Sequence, residues 1–384
     1  MVRLLNFPRP ELDERHLQLR TAVREFLDSE LSAGTFQPTC DSWLSGHDPV
    51  FSKKLGQQGW IGMTWPREYG GQGASQVDRY ILTEELLAAG APVAAHWVSD
   101  RQIGPGLLRH GSEAIKRRFL PAIASGECYF SAGMSEPDSG SDLASIRTKA
   151  VPSGDGWAIT GQKVWTSHAH HNHYIIILCR TSPRGEDLHE GISQIIVPLD
   201  APGLTVRPIR MLSGEHHFNE VILDEVYAPA EMILGAPGSG WSQVTGELAF
   251  ERSGPERFLA AFPLVAEVVR RVGPDVDDRT AEILGRLASD LMALRRLSMA
   301  VATALDAGTA PPVEAAMVKD IGSRVDQQIP ELARRLLPTA GELGSDDTYA
   351  RLYAEALTAS PGFTLRGGAV EILRGIVARG MGMR

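Results

Sequence analysis

A chain of 384 residues, 43% hydrophobic and 22% charged, is long enough for about two or three domains and has the make-up of a globular protein with a sizeable core. Its formal net charge of -9 repels phosphate backbones, which sets nucleic acid aside as a general partner, and no apolar run approaches the length of a membrane span. Three scattered cysteines, Cys40, Cys128 and Cys179, lack metal-type spacing, and the N-terminal "MVRLLNFPRPELDERH" lacks a long apolar core, so a reducing, cytoplasmic setting is expected.

Residues 1–126 read as helical. In "LQLRTAVREFLDSEL" the apolar positions Leu19, Val23, Phe26, Leu27 and Leu31 fall near helical spacing. "DRYILTEELLAAG" reads as a helix ended by Gly90, and "SEAIKRRFLPAIASG" opens on a Ser112 cap and closes on Gly126. Its basic run "IKRRF" reads as a solvated helix face. Residues 127–235 are richer in β-branched residues, glycine and turns. "GWAITGQKVWTS", "YIIILCR" and "GISQIIVPLD" read as strands, which predicts an antiparallel sheet or small barrel. Residues 236–384 return to helical periodicity in long amphipathic segments. One of them, "RTAEILGRLASDLMALRRLSMAVATAL", is expected to bury Ile283, Leu284, Leu287, Leu291 and Leu294 in a helix bundle. Ser253 with Glu256 is a capping-box pattern, and Pro255 suits a first helical turn.

Chemistry concentrates in two places. "AGMSEPDSGSDLASIRT" (Ala132 to Thr148) is dense in small residues, hydroxyls and backbone N–H groups, which suits a loop that bonds a polar ring edge or a pyrophosphate. "GQKVWTSHA" sets Trp165 beside Thr166 and Ser167. An indole can pack flat on a planar cofactor while neighbouring hydroxyls bond its polar atoms. The order and spacing of "MSEPDSGSD" and "GQKVWTS", flanked by helical segments, resemble the acyl-CoA dehydrogenase family. "GWIGMTWPREYGGQG" (Gly59 to Gly73) resembles that family's N-terminal domain.

That resemblance covers most of the chain. It implies an α+β architecture with an N-terminal helical domain, a central β-barrel domain and a C-terminal four-helix bundle. It also implies FAD, an acyl-CoA thioester substrate and an electron-transfer acceptor. Carried over by residue, Met134 and Ser135 lie against the flavin ring, and Gly140 and Ser141 lie near the FAD phosphates or the bound thioester. Trp165, Thr166 and Ser167 line the flavin. Removing the α-proton of a thioester needs a partly desolvated carboxylate and donors on the carbonyl oxygen. In many members the base is a Glu in the C-terminal segment; in "TLRGGAVEILRGIVARG" the matching residue is Gly367, and Glu371 falls off the pattern. A second branch carries its base in the bundle, in a segment ending Glu-Arg, and "ELAFER" resembles it. Glu251 is then the base and Arg252 its neighbour on the substrate side, while the Gly367 N–H is a donor to the thioester oxygen.

The segments that would bind the adenine end across a subunit interface, "RRVGPDVDDRT" and "PTAGELGSDDTY", depart from the family pattern. A homo- or hetero-oligomer is expected, an α2β2 assembly among the arrangements, in which another subunit completes the flavin site. His168, His170, His171 and His173 are expected to serve the loop or the substrate rather than a metal. Rival readings are a flavin oxidase on the same fold and a non-catalytic subunit. A DNA-binding relative is disfavoured by the acidic balance.

Overall fold

The computed structural model describes residues 5–183 and 185–383 and, within the helix Gly240–Glu251, only the backbone of residues 247–251. The chain forms two compact units, each gathered from distant stretches: one holds Asp48–Gly73 and Ala94–Leu248, the other Met1–His47, Ala74–Val93 and Ala249–Arg384.

The first unit is built on seven strands: β1 Phe130–Gly133, β2 Lys149–Ser153, β3 Gly156–Ser167, β4 Tyr174–Arg180, β5 Ile192–Pro198, β6 Leu204–Ile209 and β7 Phe218–Pro229. Their order is β1-β4-β2-β3-β7-β6, with β5 on β4. The expected antiparallel sheet is in fact mixed, because β1 and the first residue of β2 pair with β4 in parallel. β4 and β5 pair residue for residue from Tyr174↔Pro198 to Arg180↔Ile192, and Ile175 through Cys179 are all buried. A strand covered on both faces reads as a continuous apolar run, which is why "YIIILCR" shows no alternation. The helix Glu113–Ala124 starts as predicted, with Ser112 Oγ accepting from Ile115 N at 3.3 Å. It sets Phe119 edge-on to Phe130 and Tyr174, at 5.3 and 5.0 Å.

His96, in the short helix Ala94–Val98, is buried with Nδ1 2.8 Å from Ser52 Oγ. Burial pushes its pKa down to about 4. The unfolded chain takes up this proton near pH 6.5 and the folded chain only near 4. Stability is therefore fully present above 6.5 and lost as pH falls towards 4, by about 3 kcal/mol. Urea unfolding from pH 7.5 to 4.5 should show that loss in the wild type and a smaller one in His96→Asn; equal slopes would count against the assignment.

The second unit is helical: Glu14–Ser32, Gln76–Ala88, Phe262–Val272, Asp278–Asp306, Pro312–Leu336, Thr348–Phe363 and Val370–Gly380, with shorter turns. Side-chain caps fix several starts. Asp13 accepts from His16 N, Ser75 from Asp78 N and Asp277 from Thr280 N. Val77, Tyr80 and Ile81 pack on Met299 and Ala302, while Val301 packs on Ala315 and Val318. The apolar stripe expected along Asp278–Asp306 is closed at Leu287 and Leu294, but Ile283, Leu284 and Leu291 stay half-buried and Met292 is exposed. The expected capping box at Ser253 does not form. Gly254 precedes a 3₁₀ turn, Pro255–Arg257, without a side-chain cap. The Ser253 carbonyl instead accepts from Ser298 Oγ, and the Glu256 carboxylate is buried.

Candidate active site

In the β unit the structure brings two predicted segments together. Val164 N donates to Ser135 O at 2.9 Å, and Ser131 Oγ to Ser167 O at 2.8 Å. Met134 and Ser135 therefore run beside Trp165, Thr166 and Ser167. Gly140 and Ser141 are exposed and directly follow a turn closed by reciprocal backbone bonds between Glu136 and Ser139.

The pin of this arrangement is a buried ion pair that the sequence reading missed. Lys163 Nζ donates to Glu136 Oε1 at 2.8 Å and to Met134 O at 3.0 Å. Glu136 also accepts from the backbone N–H groups of Arg147 and Thr148, at 2.6 and 2.9 Å. Burial alone raises the Glu136 pKa, but the ammonium and the donors outweigh it and hold the carboxyl below its ordinary value. A signal was available: Lys163 shares strand parity with the buried Ile159, and a lysine on a buried face needs a carboxylate.

Beyond Lys163 the pairing of β3 with β7 shifts register, and Trp165 takes φ +59°. A left-handed conformation is costly for a bulky residue, and such strain collects at ligand sites. The shift leaves the indole 56% exposed, edge-on to Phe218 at 5.7 Å. Next to it, the Thr166 hydroxyl is buried without a partner among the described residues. A free aromatic face beside an unpaired hydroxyl fits a planar ring system with polar edges, as expected of a flavin. The histidines beyond β3 are used locally. His168 N donates to His217 O at 2.7 Å, His170 stacks on His216 at 3.8 Å, and His173 Nδ1 accepts from Tyr129 N at 3.0 Å.

In the helical unit, Gly367 and Gly368 form a turn with φ +68° and +103°. A Cβ on Gly367 would meet Arg257 Nη1 at 2.6 Å, and one on Gly368 would lie 3.5 Å from Arg252 Nη2. The two Glu-Arg pairs of "ERSGPER" thus send their arginines to the two glycines of this turn. Arg257 occupies the space that a side chain at 367 would claim, so no base can stand there without displacing it. The Gly367 N–H donates to no acceptor among the described residues and remains available. The Glu251 side chain lies outside the described residues, while its backbone closes the helix Gly240–Glu251. Gly367→Ala is expected to destabilise the protein by about 2 kcal/mol, through left-handed strain and the displacement of the buried Arg257. A denaturation midpoint equal to wild type would contradict this.

Arg366, just before the turn, makes paired bonds of 2.5 Å to both oxygens of Asp41 and lies over Trp43 and Phe363, at 4.6 and 5.1 Å. Asp326, on the helix Pro312–Leu336, accepts from the N–H groups of Ala260 and Ala261, at 3.1 and 3.2 Å, just ahead of the helix Phe262–Val272. Burial pushes its carboxyl up to about 7 against the pull of those donors.

Three domain models of one family match the chain: acyl-CoA dehydrogenase N-terminal domain over residues 13–127, middle domain over 131–226 and C-terminal domain over 238–382. The chain belongs to the acyl-CoA dehydrogenase family. It has the family's α+β architecture, and it is an FAD-dependent acyl-CoA dehydrogenase. Among its relatives is acyl-CoA dehydrogenase IpdE1 of Mycobacterium tuberculosis, 34% identical over 378 residues and 96% of each chain. Acyl-CoA dehydrogenase FadE29 of the same organism is 33% identical over 381 residues, again 96% of each. Among solved structures, the Tcur3481-Tcur3483 steroid ACAD matches this dehydrogenase with TM-score 0.88 and 30% identity, over 99% of this chain and 100% of that one. The ChsE4-ChsE5 complex from Mycobacterium tuberculosis matches with TM-score 0.81 and 28% identity, over 97% and 98%. Among the described residues, no helix is long and apolar enough to cross a membrane.

Proposed function

We propose that the chain dehydrogenates an acyl-CoA thioester between its α and β carbons, with Glu251 taking the α-proton. The observation that supports this reading is the Gly367–Gly368 turn, where a side-chain base is absent, Arg257 fills its place, and the guanidinium of Arg252, next to Glu251 in sequence, lies by Gly368. The Gly367 N–H bonds the thioester oxygen, where enolate charge develops. Arg252 orients the carboxylate and faces the substrate. Bound FAD would supply the acceptor for the hydride of the β carbon. Met134, Ser135, Trp165, Thr166 and Ser167 hold its ring, and Gly140 and Ser141 lie towards its phosphates or the thioester. Lys163 and Glu136 keep the two flavin-lining segments together. The reading divides the chain into segments 1–126, 127–235 and 236–384.

The reading includes a partner subunit of different sequence that completes the adenine end of the flavin site. The departures at 270–280 and 338–349 support it. Arg270 and Arg271 are both spent on Glu267, at 2.7 Å, and Arg271 Nη2 also bonds Asp347 Oδ2 at 2.6 Å. The half-covered face of Ile283, Leu284 and Leu291 suits cover by another chain. Two of the similar structures carry paired names, Tcur3481-Tcur3483 and ChsE4-ChsE5, and the first is called a steroid ACAD. A bulky ring-bearing thioester is accordingly the substrate class to try first. Expression with and without candidate partner chains, scored by flavin per chain, tests the assembly. Full flavin occupancy in an active oligomer of this chain alone overturns it.

A further inference from the structure

Beside the Gly367 turn, within the helical unit, Trp43, Glu256, Arg257, Lys319, Asp326 and Arg366 border a narrow, partly open cavity with room for about one water-sized group. Most of these charges are accounted for. Arg366 is held by Asp41, Lys319 Nζ donates to Ser323 Oγ and Phe363 O at 2.7 and 2.8 Å, and Asp326 accepts two backbone N–H groups. Arg257 lies over the Trp43 ring at 5.5 Å. Glu256 is the exception. It is 7% exposed, its Oε1 stands 3.5 Å from Arg257 Nε, and its Oε2 is buried with no hydrogen-bond partner among the described residues. A buried acceptor of this kind is costly unless an occupant brings it a donor.

We propose that this cavity is a polar subsite for the acyl group, and that it takes a hydroxyl carried on the acyl chain, which donates to Glu256 Oε2. The chemistry of the lining selects that class. A ketone has no proton to offer Glu256. A carboxylate would stand against Glu256 and Asp326. An ammonium would stand against Arg257, Lys319 and Arg366. A hydroxyl donates to the carboxylate and accepts from a cationic neighbour at the same time. The subsite is also within reach. The proposal rests on the dehydrogenation reading, which places the thioester oxygen on the Gly367 N–H, and Arg257 Nη1 is 2.6 Å from where a Cβ on that residue would sit. The hydroxyl is therefore borne a few bonds beyond the thioester, from the γ carbon outward.

The test compares straight-chain acyl-CoA esters bearing one hydroxyl at successive positions from the γ carbon with their unsubstituted counterparts. Dissociation constants come from calorimetry on the flavin-loaded protein, and kcat/KM from turnover with an artificial acceptor. At one position at least, the hydroxylated ester should bind about tenfold tighter or better. Glu256→Leu should bring that ratio to about one, and Glu256→Gln, which keeps an acceptor oxygen, should retain part of it. Ratios near one at every position in the wild type would mean that water alone fills the cavity, and would overturn the subsite. A ratio that survives both substitutions would overturn the role of Glu256. If a Glu256-dependent binding ratio is found but neither ester is dehydrogenated, the subsite stands and the dehydrogenation reading falls.

Discussion

Glu251→Gln should slow dehydrogenation by about 10²–10⁴-fold, the usual worth of a positioned general base, while flavin stays bound. The expectation follows from where a base can stand. Gly367 has no side chain, its φ of +68° suits none, and a Cβ there would run into Arg257. Arg252, the neighbour of Glu251 in sequence, lies by Gly368. Glutamine keeps the size of the side chain and removes its basicity, so substrate binding should persist while proton removal fails. The specific readout is exchange of the α-proton of a bound acyl-CoA into D2O. Wild-type exchange in Glu251→Gln would show that the base is elsewhere, and Glu256 would be the next carboxylate to test.

Lys163→Met carries the largest expected cost in stability, about 3–5 kcal/mol. Lys163 is fully buried, and its ammonium is the only side-chain cation bonded to Glu136 among the described residues. Methionine fills the volume but leaves a buried carboxylate with two backbone donors and no counter-charge. It also frees Met134 O, which Lys163 holds at 3.0 Å, so flavin retention should fall together with stability. The double change Lys163→Met with Glu136→Gln should recover part of the loss, because it removes the stranded charge. Unfolding free energies for the four proteins of this cycle check it. A single Lys163→Met that unfolds like wild type would mean the pair is not the pin of the loop.

Part of this account was legible in the sequence. "GWAITGQKVWTS" and "YIIILCR" are β3 and β4 to the residue, because each is bounded by turn residues and rich in β-branched or apolar side chains. Resemblance sets "MSEPDSGSD" and "GQKVWTS" against one flavin, and the bond from Val164 N to Ser135 O joins the two segments. The short strands β1 and β2 carried too few alternating positions to stand out, and their parallel pairing with β4 depends on contacts distant in sequence. The Glu256 pattern misled for a physical reason. Ser-x-x-Glu spacing is local, whereas the carboxylate is drawn into a cavity whose other walls come from residues 43, 319, 326 and 366. The stripe from Ile283 to Leu294 shows the same limit from the other side: periodicity marks an apolar face but not what covers it.

The most direct test of the central claim is the visible spectrum of the purified protein, recorded anaerobically before and after an acyl-CoA thioester is added, with the products then analysed. The account predicts a flavin band that bleaches on addition, and a 2,3-enoyl-CoA formed in step with the bleaching. A protein that carries full flavin, binds the thioester and neither bleaches nor yields enoyl product, alone or with its partner chain, would contradict it.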